Sequence, residues 1–161
     1  MRRLFIFIFI SISLAACMPK LGRVDSVPSE STPVITQPVC QPSQILKSRN
    51  DFPEIQGTMD SDGEMWALLF FDQAHANEDL KIAWRIIGRG LPFTAQAQHE
   101  DGAIISPIWG PEFHVSSSWE RPGQEWGTGF NFSEPGCWTI TVASGETRGE
   151  IILHVLPSRQ S

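Results

Sequence analysis

The acidic run Asp60-Ser-Asp62-Gly-Glu64 has side-chain types and spacing that match part of a calcium-binding loop. A complete EF-hand loop also needs a glutamate at its twelfth position, where both carboxylate oxygens bind the ion. Counted from Asp60, that position is Phe71, and the neighbouring sequence predicts no flanking helices. We therefore interpret the run as a turn between strands, and a calcium site of another kind stays open.

The four histidines could bind a metal by residue type but not by spacing. His75, His99, His114 and His154 are far apart, and none forms the His-x-x-x-His spacing of a helical metal site. His154 lies in an alternating apolar segment, which favours a surface or half-buried sheet residue. The sequence therefore predicts no metal centre and no cofactor.

Side chains for acid–base or nucleophilic catalysis are present, but no pattern joins them. Glu120 and Glu125 could act on a sugar only if both carboxyls faced one cleft, at roughly 5–10 Å from each other. The run Ser116–Ser118 has no identifiable base, and there is no Gly-x-Ser-x-Gly elbow. A cysteine nucleophile would require Cys137 to be a free thiol. We therefore predict no catalytic residues and no enzymatic activity, unless a cleft joins Glu120, Glu125 and His114.

An aromatic-rich connection over residues 109–129 is the candidate binding surface. Connections longer than about 12–15 residues without regular structure are uncommon in compact domains and are often functional. In one interpretation the rings cover an edge of the fold, with Trp119 and Trp126 brought together by the turn at Pro122-Gly123. In the other, rigid rings with polar edges bind a sugar or a partner. The first interpretation, in which the rings cover an edge of the fold, is favoured because most tryptophans are largely buried. The candidate surface residues are Trp109, Phe113, Trp119, Arg121 and Trp126.

From about residue 57 the sequence alternates between apolar and polar residues, as β-strands do. The segment 137–142, for example, places Trp138, Ile140 and Val142 on one face. The run His99-Glu100-Asp101-Gly102 is typical of a hairpin turn, because Asp-Gly favours such turns. Short strands at this spacing, without a helical period, predict an all-β fold, an antiparallel β-sandwich.

The N-terminal residues have the layout of a secretory signal peptide. Arg2 and Arg3 precede an apolar stretch over residues 4–14, which is too short to cross a bilayer comfortably. The stretch ends in Leu14-Ala-Ala-Cys17, which resembles the lipobox of bacterial lipoproteins. The resemblance implies that the sulfur of Cys17 takes a diacylglycerol, and that cleavage before this residue makes it the acylated N-terminus.

The sequence thus divides into a signal peptide over 1–16, a lipidated cysteine with a proline-rich tether over 17–53, and a domain over 54–157. Removing residues 1–16 takes away two arginines and no acidic residue, so the net charge falls from −6 to −8. This charge disfavours nucleic acid and anionic headgroups as partners, since both bind clustered Lys and Arg. The expected partner is a membrane, to which the protein would be attached by the lipid on Cys17. The expected location is extracytoplasmic, on the outer face of the cell membrane or on an outer membrane.

Besides the lipidated Cys17, the mature chain has two cysteines, Cys40 and Cys137. In an oxidising compartment an even pair predicts a disulfide, with two buried free thiols as the alternative. Because Trp138 and its alternating partners are expected to face the core, Cys137 should point away from it. The bond should therefore attach the segment around Cys40 to the outer face or edge of the sandwich.

Four motifs stand in the second half of the chain: Trp109-Gly-Pro-Glu, Ser118-Trp119, Pro122-Gly-Gln-Glu-Trp-Gly-Thr-Gly-Phe and Pro135-Gly-Cys-Trp138. They resemble a group of bacterial lipoproteins with a small immunoglobulin-like (Ig-like) β-sandwich, which also place a cysteine before the domain. The resemblance covers about residues 40–156. It implies an Ig-like fold, a disulfide and an envelope location, and it carries over no catalytic residues.

The expected function is therefore a binding or structural role at the cell envelope. The protein would be anchored by lipid and would recognise a glycan or an envelope protein through residues 109–129. The alternative is a small envelope hydrolase or an accessory subunit of an envelope complex.

Overall fold

The alternating segments form strands in the structure, a computed structural model that describes residues 39–88, 92–115 and 117–159. Residues 1–38, with the predicted signal peptide, Cys17 and most of the predicted tether, lie outside the described residues. In chain order the strands are β1 (Leu46–Lys47), β2 (Pro53–Gln56), β3 (Thr58–Met59), β4 (Met65–Leu69), β5 (Asp79–Ile86), β6 (Phe93–His99), β7 (Ile104–Ile105), β8 (Trp109–His114), β9 (Gln124–Asn131), β10 (Gly136–Ser144) and β11 (Thr147–Val155).

The strands form two antiparallel sheets that stack as a sandwich, which confirms the predicted all-β class. The larger sheet has the order β1-β2-β4-β5-β9-β8, and the smaller has the order β3-β11-β10-β6-β7. Strands β6 and β7 pair across the predicted hairpin turn, where the Gly102 N–H donates to the His99 carbonyl at 2.9 Å. No helix among the described residues is long and apolar enough to cross a membrane.

The core lies between the sheets and is built from the inward-facing residues of both. Trp138, Ile140 and Val142 of β10 are buried there, as the alternation predicts. Trp84 faces them from β5, and its indole N–H donates to the buried Thr128 hydroxyl at 2.8 Å. Each large apolar side chain buried in this way stabilises the fold by about 1.5–3 kcal/mol.

Strand β4 differs from the alternating strands because all five of its residues are buried. Met65, Ala67 and Leu69 belong to the core, whereas Trp66 and Leu68 point to the opposite face of the larger sheet. A strand that is apolar on both sides must be covered on both sides. A further segment of the chain therefore lies on the outer face of this sheet.

The region 109–129 contains regular structure that its sequence did not reveal. Residues 109–114 form β8, which pairs with β9, and among the described residues the irregular part of the loop 115–123 is limited to 115 and 117–123. A register shift between Trp109 and Glu112 breaks the alternation along β8. In β9 the outward positions include Gly127 and Gly129, so the strand lacks an apolar–polar pattern.

Cys40 and Cys137 form the predicted disulfide, with an S–S distance of 2.02 Å and 97 residues between them in sequence. Cys137 is half-buried on β10, outside the core, as its register predicts. Close to it, Ser43 donates its N–H to the Ile152 carbonyl and accepts the Ile152 N–H on its hydroxyl, both at 2.9 Å. A disulfide of this kind indicates an oxidising compartment, and hence an extracytoplasmic protein.

These contacts hold the segment 40–53 against the sandwich. The strands begin at Leu46, ahead of residue 54, where the sequence suggests that the domain starts. Periodicity cannot reveal this, because the segment is held by a disulfide and by bonds to β11, which are distant in the chain.

Candidate functional site

A second apolar cluster covers the outer face of the larger sheet. It contains Trp66 and Leu68 of β4, Ala83 of β5 and Trp119 of the loop 115–123. Leu68 stands directly opposite Ala83, so a small side chain beside a large one leaves space for an indole ring. Trp119 fills this space and is only 7% exposed. The loop therefore supplies the cover that β4 requires.

Glu54 of β2, which is buried, holds this loop to the sheet. Its Oε2 accepts the indole N–H of Trp119 at 3.0 Å, and both of its carboxylate oxygens accept from the guanidinium of Arg121. The same guanidinium lies 3.6 Å above the ring centre of Trp66, a cation–π contact. Burial alone would raise the pKa of Glu54, but the hydrogen bonds from Arg121 and Trp119 outweigh it and hold that pKa below the usual glutamate value.

Glu125 of β9 is the second buried carboxylate on this face. It accepts a hydrogen bond from Arg85 Nε at 2.9 Å, another from the Ser117 hydroxyl, and it contacts His114 Nδ1 at 3.0 Å. Arg85 and His114 stand opposite Glu125 on the two neighbouring strands, so the sheet register itself assembles the three side chains. Burial would raise the pKa of Glu125, but the Ser117 and His114 hydrogen bonds and the Arg85 charge lower it overall.

The arrangement that would indicate an enzyme is not assembled in the described part of the chain. Glu125 and His114 line one groove, whereas Glu120 lines another and pairs with the exposed Arg49 at 2.6 Å. The Ser117 hydroxyl donates to Glu125, whereas a catalytic triad needs the serine bonded to the histidine. Ser116 lies outside the described residues.

The five predicted surface residues do not form one surface. Trp126 lies in the core, where it stacks on Phe93 with ring centres 5.1 Å apart. Trp119 lies on the opposite face of the same sheet, so the expectation that the Pro122-Gly123 turn brings the two rings together is wrong. Strand pairing decides this, because β9 turns Trp126 inward while the loop before it folds over the outside.

The other three predicted residues also divide between the faces. Trp109 is half-buried over Gly129, whose missing side chain makes room for the indole. Phe113 is 51% exposed and packs against Trp126, with the two rings tilted and their centres 5.1 Å apart. Arg121 is held by Glu54. Of the five, Phe113 alone offers an aromatic ring of which half is open to solvent.

A groove of about 260 Å³ runs beside the covering loop on the outer face. One side carries Phe52 and Phe70, a pair of tilted rings with centres 5.3 Å apart and each 42% exposed. Lys81 places its ammonium 4.5 Å from the ring centre of Phe70. The opposite side is formed by residues 117–119 of the loop and by His114 and Glu125 beside them. The other lining residues are Asn50, Leu68, Ala83, His114, Ser117, Ser118, Trp119 and Glu125.

Sequence reasoning missed this groove because its two exposed rings come from segments that looked unrelated. Phe52 directly precedes β2, and Phe70 directly follows β4. These strands are antiparallel neighbours, so the end of one lies beside the start of the other. Only the pairing of β2 with β4 could have revealed the pair.

The acidic run at residues 60–64 behaves as a turn. Asp60 and Arg148 exchange two hydrogen bonds: the Asp60 N–H donates to the Arg148 carbonyl, and the Arg148 N–H donates to the Asp60 side chain, both at 3.1 Å. Glu64 accepts the indole N–H of Trp66. Asp60 and Glu64 are therefore engaged in holding the turn.

Comparison of the chain with protein-family models, with curated proteins and with solved structures finds no match to any of them.

Proposed function

We propose that this chain is a lipid-anchored, extracytoplasmic binding protein of the cell envelope, and that the groove beside Phe52 and Phe70 holds its ligand. The exposed aromatic pair carries the proposal. Two phenyl rings that remain 42% exposed beside a groove are available to a ligand, whereas Trp119 and Trp126 are occupied within the fold. Aromatic rings of this kind supply large contact area at low entropic cost.

The groove also has the chemical variety that recognition needs. Lys81, Asn50, Ser118 and His114 place charge and hydrogen-bonding groups around the aromatic pair. The loop wall is held by two buried carboxylates, so it is preorganised and little ordering is needed when a ligand binds. Aromatic rings with polar groups at their edges favour a glycan as the ligand. An envelope peptide is the second class of ligand to test.

An Ig-like topology is part of the proposal, and the strand order supports it. Ig sandwiches place strands A, B, E and D in one sheet and C, F and G in the other. If β4 to β11 are lettered A, B, C, C′, D, E, F and G, the orders β4-β5-β9-β8 and β11-β10-β6-β7 become A-B-E-D and G-F-C-C′. A fold of this class is used by many binding modules, but function must be argued from the site.

We propose a binding role without catalysis. Glu125 is the groove's carboxylate, and its oxygens already accept from Arg85, Ser117 and His114. A general acid or base needs a carboxyl that is open to the substrate. Glu125, paired with Arg85, supports the wall of the groove instead.

A glycan and peptide array tests the groove. We expect the wild type to bind a subset of glycans, and Phe52→Ala with Phe70→Ala to weaken that binding at least tenfold without a large change in melting temperature. Ile104→Ala is the matched control, because Ile104 is an exposed apolar residue of the smaller sheet, outside the groove and its loop. The proposal fails if the wild type binds nothing, or if the control loses binding as much as the double variant does.

The anchor is tested separately by replacing Cys17. In the proposal the sulfur of Cys17 carries lipid, so Cys17→Ser should abolish palmitate labelling and release the protein from the membrane fraction. Several acyl chains anchor strongly, since each buried methylene contributes about 0.8 kcal/mol. Retention of label and membrane association in the variant would contradict the anchor and leave the groove proposal unaffected.

A further inference from the structure

His99 occupies an unusual position at one end of the sandwich. It is the last residue of β6, faces inward, and lies with its ring centre 4.8 Å from that of Trp138. The residue is only 8% exposed, and its Nδ1 is buried without a hydrogen bond. Its Nε2 lies 3.3 Å from the Pro135 carbonyl oxygen. A buried ring nitrogen without a hydrogen-bond partner is uncommon in folded proteins and needs an explanation.

Two carboxylates from different turns lie beside this imidazole. Asp101 lies in the turn after β6, and its Oδ1 is 2.9 Å from His99 Nδ1, without the alignment of a hydrogen bond. The same Oδ1 accepts the Ala103 N–H at 2.8 Å, which fixes its position. Glu134 lies in the turn between β9 and β10, whose backbone is held by the Trp138 indole N–H donating to the Glu134 carbonyl at 3.0 Å. One ligand atom from each of His99, Asp101 and Glu134 lies within 4.8 Å of the others.

We propose that His99, Asp101 and Glu134 bind a divalent transition metal ion of the Zn²⁺ type. Zn²⁺ lies about 2.0–2.2 Å from imidazole nitrogens and carboxylate oxygens, so two ligand atoms 2.9 Å apart can both reach one ion. Three protein ligands leave a tetrahedral position for water. An imidazole among the ligands selects against Ca²⁺ and Mg²⁺, which prefer oxygen alone.

The spacing of the histidines along the chain could not predict this site. It uses a single histidine, and its carboxylates come from two turns that the pairing of β6 with β10 brings together. An ion held there would join the two turns at that end of the sandwich. Because it would bind the folded state alone, it should raise the melting temperature.

Calorimetric titration of the purified chain with ZnCl₂ at about pH 8, where a free imidazole is neutral, tests the proposal. We expect one ion per chain and a higher melting temperature that EDTA reverses. Glu134→Gln should weaken binding by at least about tenfold, since even groups outside a ligand set change metal affinity by this much. Glu134 is exposed, so this variant should fold. Asp101→Asn and His99→Gln should have the same effect, with circular dichroism checking their fold.

Glu100→Gln is the matched control, because Glu100 lies in the same turn but its carboxylate accepts the Cys137 N–H and is not among the three ligands. It should bind Zn²⁺ like the wild type, and an excess of MgCl₂ should not displace the ion. The proposal is overturned if the wild type does not bind Zn²⁺, if Glu134→Gln binds it unchanged, if Glu100→Gln loses binding equally, or if Mg²⁺ competes as an equal.

Discussion

Trp119 donates its indole N–H to the buried carboxylate of Glu54 over 3.0 Å, although 65 residues separate the two in the chain. The bond attaches the loop 115–123 to β2, and Arg121 attaches it a second time to the same carboxylate. A buried charge needs such partners, because an unpaired carboxylate inside the fold is costly. The outer cover and one wall of the groove therefore depend on one acidic side chain.

The Glu54–Arg121 pair should matter far more to stability than the exposed pair of Arg49 and Glu120. Arg121→Met leaves Glu54 buried with half its partners, and it should lower the free energy of unfolding by about 2–4 kcal/mol, less than for a fully buried pair because Arg121 is 32% exposed. Arg49→Met should change it by less than about 1 kcal/mol. Urea denaturation followed by circular dichroism measures both. Equal effects would show that Glu54 does not need Arg121.

Acid should destabilise the protein partly through Glu125. Its pKa is lowered in the folded state, so its contribution is complete above the unfolded glutamate pKa of about 4.3 and is lost as the pH falls through the lower folded value. The melting temperature should therefore fall below about pH 4.3.

Glu125→Gln isolates this contribution. The variant should be less stable than the wild type at pH 7 and should show a shallower decline in acid, because the amide cannot titrate. Glu120→Gln, which alters an exposed carboxylate, should keep the wild-type profile. Parallel profiles of melting temperature against pH for the wild type and Glu125→Gln would rule out Glu125 as a source of the acid destabilisation.

Gly129 should resist substitution because of Trp109. A Cβ at position 129 would lie 1.9 Å from the indole nitrogen of Trp109, so the indole ring would have to move away from position 129. Gly129→Ala should lower stability by about 1–3 kcal/mol, as overpacking does. In a Trp109→Ala background the same change should be nearly neutral, and a double-mutant cycle measures the coupling. Additive effects would mean that the indole is not the obstacle.

Several features of the fold could be predicted because they depend on neighbouring residues. Successive side chains of a strand point to opposite faces, so the segment 137–142 predicts both the buried face of β10 and the outward position of Cys137. The turn at His99–Gly102 is likewise local, since Asp-Gly itself favours a hairpin. The even pair of cysteines predicts the disulfide once an export signal is recognised.

The candidate site could not be predicted in the same way. Trp119 and Trp126 belong to one aromatic-rich segment, yet one covers the outer face and the other fills the core. Periodicity fails there because a register shift interrupts β8 and because glycines occupy the outward positions of β9. The groove beside Phe52 and Phe70 requires β2 to pair with β4, which no local pattern shows.

The sequence by itself therefore determined the all-β class, the inward face of β10 and the pairing of Cys40 with Cys137. The tertiary structure alone decided which tryptophans are covered, which rings stay exposed, and that Asp101 and Glu134 lie near His99. The physical reason is that local geometry decides the side to which a residue points. The residue it meets depends on the register between segments that lie far apart in the chain.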